Sequence, residues 1–339
     1  MSDTQKPAMA PDPTPIVRLS TAFWESQVLL TANRLRVFDF LADGAKSVDE
    51  VAAGLQLAPR STGLLLRACT GLGFLRENGQ RFENAPVAAT FLVSRSPAFM
   101  GNVIRYSDQL YAAWGRLEES VRSGQPAVPA QTYLGDDPAR TRAFVQAMHD
   151  RALGIARALV PMLDLSGRRT MLDVGGGPGT YSVLLTERFP GLHAEVIELP
   201  GVAAVARELV AAAGAGKRVQ LRDGDYHSAD FGSGKDVVLM SGMFHRETAQ
   251  ACRALIARAA ACLNPGGLLV VSDVFTDEGG CQPAFAALFG LNMMLTAADG
   301  GVHADADVMQ WMADCGFHEL RVAPLPPPMP HRMVMGVKA

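Results

Sequence analysis

A chain of 339 residues, 48% of them hydrophobic, has room for two cored domains. Its net charge of −3, without a long charge run, excludes nucleic acid and anionic membrane as expected partners. Five cysteines (Cys69, Cys252, Cys262, Cys281, Cys315), odd in number and lacking Cys-x-x-Cys spacing, read as reduced thiols rather than a disulfide frame or zinc ribbon. No apolar stretch approaches the roughly 18 uninterrupted residues of a membrane span, and the start carries no apolar signal core, so the expected location is the cytoplasm.

Residues 1–15 are polar and proline-rich, the composition of a disordered tail. An amphipathic pattern predicts a helix over Val28–Leu41. Ser47-Val-Asp-Glu50 is a capping-box pattern leading into a helix at Val51–Leu55. Proline starts another at Pro59–Leu72, and Phe74–Phe82 reads as a hairpin turning at Asn78-Gly79. Helix, helix, then wing is a layout shared with DNA-binding repressors. The segment in the recognition position offers only Arg60 and Arg67 among Ser, Thr, Leu and Ala, too little charge for a phosphate footprint. Residues 99–165 look mainly helical, with Tyr106, Tyr111 and Trp114 as candidate substrate-pocket residues.

The most informative run follows: Met171-Leu-Asp-Val-Gly-Gly-Gly-Pro-Gly-Thr180. A hydrophobic strand ends in an acid and breaks into glycines that let a ligand approach the main chain. The amphipathic stretch Tyr181–Phe189 comes directly after it, giving strand, turn and helix. A second strand, Ala194–Leu199, carries Glu198 to where a ribose-binding carboxylate stands in a βαβ unit. No Gly-Lys-Ser/Thr follows the glycines, so this is no phosphate loop, and the ligand is nucleoside-like. Val219–Tyr226 reads as a strand ending in an acidic turn, and Asp236–Met240 is apolar in the manner of a buried parallel strand. Asn264-Pro-Gly-Gly267 is a turn before the strand Leu268–Asp273, and Leu320–Pro324 with Met333–Lys338 forms a closing hairpin.

The order of glycine loop, acidic strand end, Gly224-Asp-Tyr226, Asp236–Met240 and Leu263–Asp273 resembles S-adenosylmethionine-dependent methyltransferases. More narrowly, it is similar to the O-methyltransferase family of plant caffeate and bacterial natural-product enzymes, from about Ile16 to Lys338. The resemblance implies an α/β architecture: a doubly wound Rossmann-like methyltransferase domain (166–339) behind a mainly α winged-helix dimerisation domain (16–98), with a helical connection (99–165) contributing to the substrate pocket. It implies a homodimer formed through the N-terminal domain, a small-molecule substrate and S-adenosylmethionine as cofactor. By family position Asp173, Gly175 and Gly177 line the methionine end, Glu198 takes the ribose hydroxyls, and Asp225 with Tyr226 stands beside the adenine. Ser241 joins them as a cofactor-site candidate.

The chemistry is expected to turn on His245, Asp273 and His303. The family's general base occupies the position of His245, usually within His-Asp-Trp; here Arg246 and Glu247 follow instead. Asp273 stands where a carboxylate orients that histidine. The family usually has Gly-Gly-x-Glu where this chain has Gly300-Gly-Val-His303. Two imidazoles and one carboxylate suit a divalent or trivalent metal such as zinc or iron, as a facial triad with open coordination positions. That set predicts metal-assisted C-methylation of a small 2-oxo acid through an enolate, as in the family's metal-dependent members for peptide antibiotics. The alternative is metal-free O-methylation of a phenolic or enolic metabolite with His245 as general base. Met243, Phe244, Phe285, Phe289, Met293 and Met294 are expected to crowd the mouth of the site. Arg246, Arg105 or Arg116 would hold a substrate carboxylate.

Overall fold

In the computed structural model, which describes residues 11–128 and 137–339, helix begins well ahead of the amphipathic stretch: α1 spans Thr14–Arg34, with proline in its first turn. Of the expected tail, residues 1–10 lie outside the described residues, and Thr14 is already helical. Arg36, left-handed at φ 59°, separates α1 from α2 (Val37–Phe40), so the helix expected over Val28–Leu41 is two helices. After β1 (Lys46–Ser47), the capping box forms at the start of α3 (Val48–Leu55). Glu50 N donates to Ser47 Oγ at 3.2 Å, and Ser47 N donates to the Glu50 carboxylate at 2.6 Å. α4 (Pro59–Gly71), β2 (Leu75–Asn78) and β3 (Arg81–Asn84) complete the helix–helix–wing layout, with strand order β1-β3-β2. The wing turns one residue later than Asn78-Gly79 suggested. Asn78 pairs with Arg81, leaving Gly79 (φ 55°) and Gln80 (φ 68°) as the two central residues. Phe38, Val51, Leu66 and Phe82 form the core of this part, and α5 (Pro86–Phe91) follows it.

Two compact units divide the chain, Met1–Asp108 and Gln109–Ala339, and the division falls within α6 (Gly101–Trp114). In the second unit α7 (Leu117–Ser123) precedes α8 (Pro138–Leu159), which is capped by the Asp137 carboxylate accepting from Ala139 N and Arg140 N. Then come β4 (Thr170–Val174), α9 (Thr180–Arg188), β5 (His193–Glu198), α10 (Pro200–Ala212), β6 (Val219–Asp223), β7 (Lys235–Ser241), α11 (Ala249–Cys262) and β8 (Leu263–Asp273). α12 (Ala284–Met294), α13 (Asp305–Asp314), β9 (Phe317–Pro324) and β10 (Arg332–Lys338) end the chain. The sheet runs β6-β5-β4-β7-β8-β10-β9, parallel from β6 to β8, with the last two strands antiparallel. Asn264–Gly267 is not a turn ahead of β8. It bulges within the strand, as Lys235 pairs with Leu263 but Val237 already pairs with Leu268.

Helices cover both faces of this sheet. Ile155, Leu159 and Leu185 from α8 and α9 pack with Met171, Leu239 and Val270 on one side. Leu255, Ile256 and Met312 from α11 and α13 pack with Leu172, Val238 and Val271 on the other. Strand order reverses between β4 and β7, which opens a crevice at their carboxyl ends where doubly wound sheets bind ligands. The glycine turn lies there. Gly175, Gly177 and Gly179 have positive φ, and a Cβ on Gly176 would stand 2.6 Å from Asp173 Cγ and 2.7 Å from Val196 Cγ1. Both neighbours are fully buried and have nowhere to go. Gly176→Ala should therefore destabilise the second unit by ~2 kcal/mol through overpacking. Urea unfolding would show this as a lower midpoint, and an unchanged midpoint would refute the packing account.

Candidate active site

Buried polar atoms without a hydrogen-bond partner are rare in proteins, and where they gather they point to a missing ligand. Among the described residues six side-chain atoms are in this state. Four of them, Asp173 Oδ1, Ser241 Oγ, Ser272 Oγ and His331 Nδ1, belong to residues at one end of the adjacent strands β4, β7, β8 and β10.

Asp173, fully buried at the end of β4, accepts a 2.7 Å bond from Ser182 Oγ through Oδ2 only. Burial, aided by the Glu198 carboxylate and opposed by Ser182, pushes its pKa up to about 7. Glu198 braces the glycine turn by accepting from Gly177 N through Oε2 and from Leu199 N through Oε1, each at 2.8 Å. Each carboxylate oxygen keeps lone-pair capacity for a ligand hydroxyl. Gly177 faces open space, whereas a Cβ on Gly175 would lie 3.3 Å from the Tyr226 ring. Tyr226 is held there by its hydroxyl donating to Glu247 Oε1 at 2.6 Å, and Asp225 beside it is exposed. Asp173, Gly175, Gly177, Glu198, Tyr226 and Ser241 are thus gathered around one crevice with unspent polar capacity, and the set fits a nucleoside-like cofactor.

His245 and Asp273 meet next to this crevice. β7 delivers the turn Phe244–Arg246, and β8 ends on Asp273. His245 Nδ1 donates to Asp273 Oδ1 at 2.8 Å, so the neutral ring keeps its lone pair on Nε2. Asp273 also accepts from Val274 N at 2.7 Å and from His245 N at 3.2 Å. Burial alone would raise its pKa, but the imidazole and the Val274 N–H hold it below the usual carboxylate value. The edge of His245 meets the Phe289 ring at 5.0 Å between centroids, and Phe285 stacks on Phe289 at 6.1 Å.

His303 does not join them as a metal ligand. Its Nε2 lies 3.0 Å from Glu247 O and 3.2 Å from Phe244 O, both pure acceptors, so Nε2 carries the proton and donates to the backbone. Trp311 meets the imidazole edge-on at 5.2 Å, and Cys252 Sγ lies 3.6 Å from Nε2. With His303 Nε2 turned onto two carbonyls and His245 Nδ1 donating to Asp273, the expected His245–Asp273–His303 triad does not present lone pairs that converge on one point. Among the described residues no group of three His, Cys, Asp or Glu side chains is placed to hold a metal ion. The donor set does not fit a metal.

The apolar wall differs in part from expectation. Phe289, Met243 and Met293 are buried and Phe285 is half-exposed, but Phe244 is fully enclosed in the core behind the turn. Of the arginines, Arg116 is committed to Glu119 and to Ala127 O, and Arg246 is exposed. Arg105 lies in the first unit. Sequence reasoning missed Arg151 on α8, whose guanidinium carbon stands 5.4 Å from the Phe289 centroid, and His331 beside β10. Neither falls in a motif. Trp114 Nε1 donates to Asn292 Oδ1 at 2.8 Å, tying α6 to α12, while Tyr111 is exposed.

Known proteins resemble this chain along most of its length. An O-methyltransferase dimerisation domain model matches residues 17–94, and an O-methyltransferase domain model matches residues 114–318. A 3-hydroxy-5-methyl-1-naphthoate 3-O-methyltransferase of Streptomyces sahachiroi is 32% identical over 342 residues, covering 100% of this chain and 99% of its own. The acetylserotonin O-methyltransferase of Mus musculus is 31% identical over 327 residues, 91% of this chain and 84% of its own. The human N-acetylserotonin methyltransferase, solved in complex with S-adenosylmethionine, shares the fold with a TM-score of 0.87 at 24% identity, over 99% of this chain and 100% of that one. With both family models matched in order and a Streptomyces O-methyltransferase 32% identical along the whole chain, the chain belongs to the S-adenosylmethionine-dependent O-methyltransferase family.

Proposed function

We propose that this enzyme methylates the oxygen of a phenolic or enolic small molecule, with His245 as general base. The observation that carries this reading is the 2.8 Å bond from His245 Nδ1 to Asp273, which fixes one tautomer and leaves Nε2 to take a proton. S-adenosylmethionine, when bound, supplies an electrophilic methyl group on a sulfonium. Asp173, Gly175, Gly177, Glu198, Asp225, Tyr226 and Ser241 would hold it in the crevice. Phe289 and Phe285 offer a flat apolar surface to an aromatic acceptor, and His245 removes the hydroxyl proton as oxygen becomes the nucleophile. The hydroxynaphthoate named as the substrate of the Streptomyces relative is an acceptor of this kind. Metal-assisted C-methylation of a 2-oxo acid would need donors that are here turned onto the protein.

Purified enzyme, S-adenosylmethionine and a panel of hydroxyaryl compounds and 2-oxo acids provide the test. O-methyl products formed with and without chelator are expected, and His245→Ala should slow turnover by roughly 10²–10⁴-fold, the usual worth of general base catalysis. Turnover restricted to 2-oxo acids and abolished by chelator would overturn the proposal.

His303 acts here through His245. It clips together the two carbonyls that bracket the base, Phe244 O and Glu247 O, while Gly301 N donates to His245 O at 3.0 Å from the same loop. His303→Ala is expected to lower kcat with little change in KM for S-adenosylmethionine, and His303→Gln, which can still donate, to recover part of the loss. Equal loss in both variants, accompanied by lost bound metal, would restore a ligand role.

The same family assignment implies a homodimer, and α1 offers a surface for it. Ile16, Val17, Leu19, Phe23 and Trp24 are all more than half exposed, an apolar row that a monomer would leave in water. Phe23→Glu with Trp24→Glu should shift the enzyme from dimer to monomer in sedimentation, and a dimer unmoved by both would place the interface elsewhere.

A further inference from the structure

Arg151 is a half-buried cation with no hydrogen bond or ion pair to any described residue, whereas the two carboxylates close to His245, Asp273 and Glu247, are both hydrogen-bonded. Its guanidinium lies over the same Phe289 ring that His245 meets edge-to-face, with Phe285 stacked alongside. Cation and base therefore share one aromatic ring as neighbour, which sets their spacing on the scale of a small aromatic acid. His331, 5% exposed with Nδ1 unpartnered, feels the Arg151 charge: burial first, and Arg151 second, push its pKa down to about 4. It stays neutral and adds no charge, but the tautomer with the proton on Nδ1 can donate that N–H to an anion. Phe289 shields the guanidinium on one side and raises the benefit of a charge partner on the other.

We propose that Arg151 recognises a carboxylate on the acceptor, so that the substrate class is a hydroxyaryl carboxylic acid whose hydroxyl faces His245 while its carboxylate pairs with the guanidinium. This rests on the O-methyltransferase reading of the site. The planar fork of Arg151 matches a carboxylate in two parallel bonds, and the neighbouring aromatic ring carries the body of the acceptor.

Equilibrium binding separates the two ideas, because it needs no turnover. Hydroxybenzoates and hydroxynaphthoates are titrated into the full-length enzyme beside their methyl esters, and both sets are then assayed for methyl transfer. The wild-type enzyme should bind the acids more tightly than the esters. Arg151→Gln should shrink that acid-to-ester ratio by roughly 10–100-fold, the range for a lost charged hydrogen bond, with Arg151→Lys intermediate and the melting temperature of the variants close to wild type. Absence of any acid preference in the wild-type enzyme, including no binding at all, overturns the assignment, as does an equal loss for acid and ester in Arg151→Gln. Acid preference without O-methylation of any compound would leave the carboxylate site standing and overturn the base reading instead.

Discussion

A carboxylate taken out of water costs several kcal/mol unless the protein supplies its partners, and the active site is organised around one such group. Asp273 is 1% exposed at the tip of a central strand and accepts from the His245 ring, the His245 backbone and Val274 N. Each such bond to a charged acceptor contributes about 1.5–3 kcal/mol, so three of them are enough to keep the anion ionised. The consequence is geometric. Because two of the three donors belong to His245, a carboxylate that must be satisfied also fixes where the imidazole sits and which nitrogen is free. Positioning of the imidazole and solvation of the buried acid are one constraint.

The rest of the site relaxes around that constraint. The turn that carries His245 is held from the β8 side by Asp273 and from the α13 side by His303 and Gly301. Glu247, two residues on, reaches Tyr226 and so links the His245 turn to the crevice at Gly175. Where the family commonly has a second carboxylate near the base, this chain has an imidazole that donates instead of accepting. His303 donates to the two carbonyls of the turn, and among the described residues Asp273 is the one acid hydrogen-bonded to His245.

Much of the fold was legible because its signals are local. The glycine run, the apolar strands and the Ser47–Glu50 box each need only neighbours within a few residues, and each forms where the pattern places it. Errors of boundary arose where two local rules compete. Asn78-Gly79 has the composition of a turn centre, but pairing of Asn78 with Arg81 moves the centre to Gly79-Gln80. Asn264–Gly267 has turn composition too, yet it is absorbed as a bulge because Leu263 still pairs with Lys235 across the sheet. Arg36 breaks a continuous amphipathic pattern by adopting φ 59°, which nothing in its side chain announces.

The site was legible in its inventory and not in its directions. His245, Asp273 and His303 were all identifiable from strand ends and a glycine-flanked loop, but residue type does not say which way a ring nitrogen points. Metal ligation and hydrogen bonding use the same imidazole atoms, and only the carbonyls of Phe244 and Glu247, brought from far along the chain, decide that His303 is a donor. Arg151 was hidden for the opposite reason. On α8 it is one of several arginines at helical spacing, and a free cation can be told from a paired one only when its surroundings are known. Arg142 on the same helix is matched to Glu208, while among the described residues Arg151 has no ion pair and lies against the ring of Phe289. Residue type and motif thus name the imidazoles and carboxylates, whereas the pairing state of a helical arginine is set by neighbours that no motif contains.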